Sequence, residues 1–160
     1  MSQDPNSYVG CKNWSGDLKL TSSAFSDGGE IPRECGYKNG NKIPPLIISE
    51  IPEGTKSLAL IMDDPDAMEA VGKVWVHWVA WNISPDVWEY GPGDAAEGMT
   101  DFGEVGYGGP APPDKRHTYV YKLYALNNEL DLPDKSTKAD VEKAMRGYVL
   151  DQATLTGTYA

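Results

Sequence analysis

At 160 residues the chain can bury roughly two thirds of its unfolded surface, enough for a core without metals or disulfides. Its 14 basic and 24 acidic residues give a formal charge of −10, a field that repels nucleic acid and anionic membranes while leaving room for a local anion site. An apolar share of 40% with five Trp and nine Tyr argues against disorder, and no apolar run approaches the ~20 residues that cross a bilayer.

The N-terminus, Met1 to Gly10, is polar, carries Asp4 and lacks a basic stretch followed by an apolar core. It does not read as a signal peptide, so the expected location is cytoplasmic. Cys11 and Cys35 have no metal-motif spacing, and in an unsecreted chain they are expected to be two thiols rather than a disulfide. Ile31 to Leu46 is broken by Pro32, Gly36, Gly40, Pro44 and Pro45 and reads as a structured loop. Ser57 to Met62 is an apolar run of strand length. It is stopped by Asp63-Asp64-Pro65-Asp66, where Pro65 disfavours the helical region for Asp64.

Val74 to Ile83 is the clearest strand, rich in β-branched and aromatic residues. Strict alternation puts Trp75, His77, Val79 and Trp81 on one face and Val76, Trp78 and Ala80 on the other. Both faces are apolar, which suggests a central strand. Pro85 to Pro113 is rich in Gly and Pro and reads mostly as connecting loop, and His117 to Leu126 resumes a strand with His117, Tyr119, Tyr121, Leu123 and Ala125 on one face. The principal helix is predicted between about Thr137 and Asp151. Thr137 and Asp140 form an Asp version of the capping box, and Val141, Ala144, Met145, Tyr148 and Val149 follow amphipathic spacing. Several strands, long loops and one late helix favour a single mostly β, sandwich-like domain over 1–160.

Both histidines fall in strand candidates beside Pro- and Gly-rich loops. His77 reads either as a satisfied core histidine or as a ligand-binding imidazole, because a buried ring must satisfy two nitrogens. His117, beside Arg116, is equally open. Asp64 or Asp66 can orient an imidazole through a ring N–H and favour its charged form, or can simply cap the turn. Tyr119 offers a hydroxyl or fills the sheet face. Gly106 to Pro110 can expose backbone N–H groups to an anion, a weak signal alone. A metal centre from His77, His117 and Asp64 is chemically possible, but the three are scattered in sequence, so neither metal nor cofactor is expected. No G-x-S-x-G elbow, phosphate-binding P-loop, dinucleotide fingerprint or H-E-x-x-H helix is present.

In order, the segments Phe25-Ser-Asp-Gly-Gly-Glu-Ile-Pro32, Pro44-Pro-Leu46, Pro52 to Ala67 with its Asp64-Pro-Asp-Ala67 turn, His77-Trp-Val-Ala-Trp-Asn-Ile83, Gly106-Tyr-Gly-Gly-Pro-Ala-Pro-Pro113, His117 to Leu126 and Leu155-Thr-Gly-Thr-Tyr159 cover almost the whole chain. Together they resemble the phosphatidylethanolamine-binding protein (PEBP) or Raf kinase inhibitor family, in its bacterial and archaeal form. The resemblance implies a PEBP-like β-sandwich: a large antiparallel sheet packed against a smaller one, with a helix near the C-terminus. It also implies an anion pocket that takes phosphate or a phosphoryl head group. Residue by residue, Asp64 and Asp66 match the aspartates of the turn, and Trp75 and His77 match the aromatic and histidine of the next pocket strand. Gly108, Gly109 and Pro110 match the bordering loop, Pro112 the proline wall, and His117 and Tyr119 the later histidine and tyrosine. Three departures stand out. Met68 replaces the usual final proline of the turn, Thr118 replaces an arginine, and Cys35-Gly-Tyr-Lys38 differs from the usual entrance segment.

The expected function is that of a noncatalytic ligand-binding or regulatory protein that takes a small phosphate-like or phosphoryl-containing ligand. His77, His117 and Tyr119 donate to the anion, Asp64 orients and charges an imidazole, Asp66 supports the turn, and backbone donors near Gly108 to Pro110 assist. Two alternatives belong to other classes: inhibition of a kinase or protease by surface binding to a protein partner, and weak hydrolase or phosphatase chemistry by the His/Asp pocket.

Overall fold

The computed structural model describes residues 16–91, 93 and 95–160. Met1 to Gly10 and Cys11 lie outside the described residues, and with them the signal-peptide and disulfide readings. The described elements run β1 (Lys19–Thr21), β2 (Gly29–Glu30), a single 3-10 turn (Arg33–Cys35), β3 (Leu46–Ser49), β4 (Ser57–Asp64), α1 (Ala67–Val71), β5 (Trp75–Ile83), β6 (Glu89–Tyr90), β7 (Ala96–Glu97), β8 (His117–Leu126), α2 (Lys138–Met145) and β9 (Val149–Tyr159).

The strands form two sheets. A small one has the order β1-β3-β6, and a large one has the order β2-β9-β8-β4-β5-β7. All pairings are antiparallel except β2 with β9. Every residue of β4 is buried, as a strand apolar on both faces requires at the centre of a sheet. One face of the large sheet packs Leu60, Met62, Trp78, Tyr121 and Leu123 against Leu20, Leu46 and Ile48 of the small sheet. The opposite face packs Ile61, Val79 and Trp81 against Val141 and Met145 of α2. Trp78 and Trp81 are fully buried. Each removes on the order of 200 Å² from water, about 5 kcal/mol before the entropy of ordering is counted. No helix among the described residues is long and apolar enough to cross a membrane.

Four sequence expectations change. The helix stops at Met145 rather than near Asp151, because Gly147 adopts φ 85° and turns the chain back. Val149, which continues the helical spacing, instead pairs with Leu126 and opens β9, the eleven-residue neighbour of β8. The loop Pro85 to Pro113 contains the two-residue strands β6 and β7. The acidic turn leads into α1, which Gly72 closes at φ 80° with its N–H on the Met68 carbonyl. Finally, alternation in β5 breaks. Met62 pairs with Trp78 but Asp63 pairs with Val76, so His77 is the extra residue of a bulge.

Candidate functional site

That bulge sets the geometry of the site. Without it His77 would lie with Val79 and Trp81 on the α2 face. With it the imidazole packs edge-on against Tyr119, with ring centroids 5.1 Å apart, and against Phe102 at 5.2 Å. Its Nδ1 donates to the carbonyls of Gly108 at 2.8 Å and Gly109 at 3.0 Å. Carbonyls only accept, so Nδ1 carries the hydrogen. Nε2 then faces no hydrogen-bond partner among the described residues. Burial outweighs the favourable carbonyls and the nearby Asp64 charge, and holds the His77 pKa below its ordinary value.

A recess of about 180 Å³ opens beside this ring. Asp64 and His77 are its polar lining, while Trp75 and Phe102, Ala67 and Val71 of α1, and Ala111 and Pro113 complete it. The Trp75 indole N–H is buried with no hydrogen-bond partner. Lys73 sits over that indole, 5.8 Å from the ring centroid, and its ammonium is paired with Asp101 at 2.8 Å.

Sequence reading missed Phe102, along with the lining residues Ala67, Val71, Ala111 and Pro113 and the His117 partner Asp114; Phe102 is the largest of them. It sits in a hairpin closed by the Met99–Val105 bridge and tied to β5 through the Asp101 amide on Val76 O (3.0 Å) and the Val76 amide on Asp101 Oδ2 (2.7 Å). Its ring stacks on Tyr37 at 4.1 Å and 4°, and the Tyr37 hydroxyl donates to Glu104 at 2.5 Å. No motif announces this placement. It depends on segment 35–38, the departing entrance segment, meeting a hairpin far along the chain.

Asp64 and His117 form a buried pair. Nδ1 of His117 donates to Asp64 Oδ2 at 2.6 Å, and Nε2 donates to Asp114 Oδ1 at 2.7 Å. Two donating nitrogens make the ring an imidazolium. Burial opposes that charge, but the two carboxylates outweigh it and raise the His117 pKa. In turn the imidazolium, opposing the carboxylate's partial burial, holds the exposed Asp114 carboxyl below its usual range. The other oxygen of Asp64 accepts the Asp66 amide at 2.9 Å.

Several expected site residues therefore surround the recess without lining it. Both ring nitrogens of fully buried His117 are engaged by carboxylates, so neither is free for the expected donation to an anion. Tyr119 is fully buried and packs between the two imidazoles, with burial pushing its hydroxyl pKa well up. Asp66 accepts the Thr118 amide at 2.8 Å and ties the turn to β8. Met68, in place of proline, supplies an amide that donates to Pro65 O at 3.2 Å, so a hydrogen bond closes the turn where a ring would stiffen it.

The glycine loop is used in the opposite sense to the one expected. The Gly108 amide donates to His77 O at 2.8 Å and the Gly109 amide to Asn41 Oδ1 at 2.7 Å, so it is the carbonyls that serve the imidazole. Pro110 and Pro112 line a separate groove with Lys38, Asn39 and Tyr159.

Residues 21–160 match the family model described as phosphatidylethanolamine-binding protein. A UPF0098 protein of Methanothermobacter thermautotrophicus is 44% identical over 151 residues, covering 89% of this chain and 98% of the relative. A UPF0098 protein of Chlamydia muridarum is 41% identical over 147 residues, with the same coverage. Among solved structures, a phosphatidylethanolamine-binding protein homologue from Chlamydia trachomatis superposes with a TM-score of 0.85 at 38% identity, covering 91% of this chain and 99% of that one. Escherichia coli YbcL superposes with a TM-score of 0.81 at 31% identity, covering 89% and 98%.

Proposed function

The chain belongs to the phosphatidylethanolamine-binding protein family, and from that premise we propose that the recess beside His77 reversibly binds a small ligand through a phosphoryl-type anionic group. The observation that carries this reading is an imidazole re-aimed by a bulge, pinned through Nδ1 and left with Nε2 unpartnered beside a buried, unpartnered indole N–H. A ligand group that bonds Nε2 gains about 1 kcal/mol, and more where the bond is charge-assisted. Supplied with a second proton, Nε2 becomes a charge-assisted donor in a low-dielectric recess.

The proposed activity is binding without turnover. Each imidazole nitrogen that has a described hydrogen-bond partner meets only carbonyls or carboxylates, so no hydroxyl or thiol among the described residues is hydrogen-bonded to a histidine as an activated nucleophile would be.

Calorimetry with inorganic phosphate on folded wild type, H77A, H117A and Y119F tests the proposal. Truncating His77 is expected to weaken binding by roughly tenfold or more. Y119F is expected to bind within about threefold of wild type, since that hydroxyl does not line the recess. Equal phosphate affinity in wild type and H77A, with folding unchanged, would refute it.

A further inference from the structure

The polar lining of the recess poses a charge problem for any anion. Asp64 accepts from His117 through Oδ2 and from the Asp66 amide through Oδ1, so it stands in the recess as a carboxylate. His77 has its only ring hydrogen committed to the Gly108 and Gly109 carbonyls, so its Nε2 presents a lone pair. Positive charge nearby is already taken. The His117 imidazolium is shared between Asp64 and Asp114, and the Lys73 ammonium is bridged to Asp101. The resting recess therefore offers two acceptors, Asp64 and His77 Nε2, while the Trp75 indole N–H and the Tyr119 hydroxyl close by are buried with no hydrogen-bond partner among the described residues. An anion with no hydrogen of its own would place lone pairs against both acceptors. An anion that still carries an O–H can donate to Asp64, or pass its proton to Nε2 and turn that acceptor into a charged donor.

We infer that the recess selects a phosphoryl ligand in a form that retains an ionisable P–OH, with Asp64 as the specificity-determining acceptor, and that it discriminates against oxyanions of equal size and charge that lack a hydrogen. This inference rests on the binding reading above and sharpens it. Proton transfer from ligand oxygen to Nε2 leaves the total charge unchanged and breaks no other bond. His117 acts as a positioning residue, since its two hydrogen bonds fix the Asp64 carboxylate in its accepting role.

The test compares methyl phosphate with methyl sulfate at pH 5. Below the second phosphomonoester pKa of about 6, methyl phosphate is a monoanion bearing one O–H. Methyl sulfate has nearly the same shape and the same single charge but no hydrogen. Wild type is expected to bind methyl phosphate at least tenfold more tightly, as read by calorimetry. In D64N, whose amide can donate where the carboxylate only accepts, methyl sulfate is expected to gain affinity and the ratio to fall below about threefold. Because the first comparison uses unaltered protein, a folding defect in D64N does not blunt it. Equal affinity of wild type for the two ligands overturns the inference while leaving the binding proposal standing. No binding of either ligand at tens of millimolar overturns both.

Discussion

Gly109 is the tightest point in the loop that holds His77, and Gly109→Ala gives a worked case. A Cβ at this position would overlap the Cys35 carbonyl oxygen and lie 2.9 Å from the Tyr37 amide nitrogen and 3.0 Å from Gly36 C. All three are backbone atoms, so no side chain can swing aside. The loop must move away from segment 35–37. Three hydrogen bonds depend on the present spacing: Gly109 N to Asn41 Oδ1 at 2.7 Å, Tyr37 N to Pro110 O at 2.9 Å and His77 Nδ1 to Gly109 O at 3.0 Å. Each contributes about 1 kcal/mol, and overpacking a closed site costs about 1–3 kcal/mol. The expected loss is on the order of 4 kcal/mol, which a domain stable by about 5–15 kcal/mol survives. Guanidinium unfolding should show a lower midpoint at unchanged slope, and the surviving folded protein should bind phosphate more weakly because Nδ1 has lost an anchor. A loss below about 1 kcal/mol with unaltered affinity would refute the close approach on which the His77 geometry rests.

Other outcomes follow from the same contacts. Gly108→Ala places its Cβ 2.5 Å from the half-buried Phe102 ring, which can shift, so stability should fall by only about 1–3 kcal/mol while ligand affinity changes; equal affinity in a binding titration would count against Phe102 as a wall. The chain has two histidines, so imidazole NMR should resolve one titrating above about 6.5, removed by H117N, and one titrating below it. His117 stabilises the fold below the unfolded value of about 6.5 and loses that contribution as pH rises through its folded pKa. His77 does the reverse, its neutral form favoring the fold until pH drops below about 6.5, so unfolding curves for the two single variants should diverge in opposite directions with pH. The buried Cys35 thiol, raised to about 11 by burial with the Glu34 charge adding to it, should resist alkylation in the native protein and react on unfolding; rapid native modification would contradict its burial.

How much of this was legible in the sequence varied with whether the cause was local. The strands Ser57 to Met62, Val74 to Ile83 and His117 to Leu126 carry their own apolar and β-branched signal and appear within two residues of their predicted ends. The Thr137–Asp140 capping box forms as read, with Asp140 N on Thr137 Oγ1 at 3.3 Å and Thr137 N on Asp140 Oδ2 at 2.9 Å. Strand β9 was hidden because Val149 extends the helical spacing, and the φ of Gly147 decided between helix and turn. At the site, residue types were legible but partners were not. Which histidine meets Asp64 depends on the bulge at His77 and on the register of β4 against β8, where Asp63 faces Val120. Phe102 had no local signal, because its role comes from stacking on Tyr37 across 65 positions of chain.

The central claim is that a phosphoryl ligand is met by His77 Nε2 while Nδ1 stays on the glycine carbonyls. Nitrogen-15 NMR of the imidazoles during a methyl phosphate titration measures this directly. The expected result is a saturable shift of the His77 Nε2 resonance toward its protonated position, with His77 Nδ1 and both nitrogens of His117 nearly unmoved. Saturable binding that shifts the His117 nitrogens and leaves His77 Nε2 in place would contradict the account.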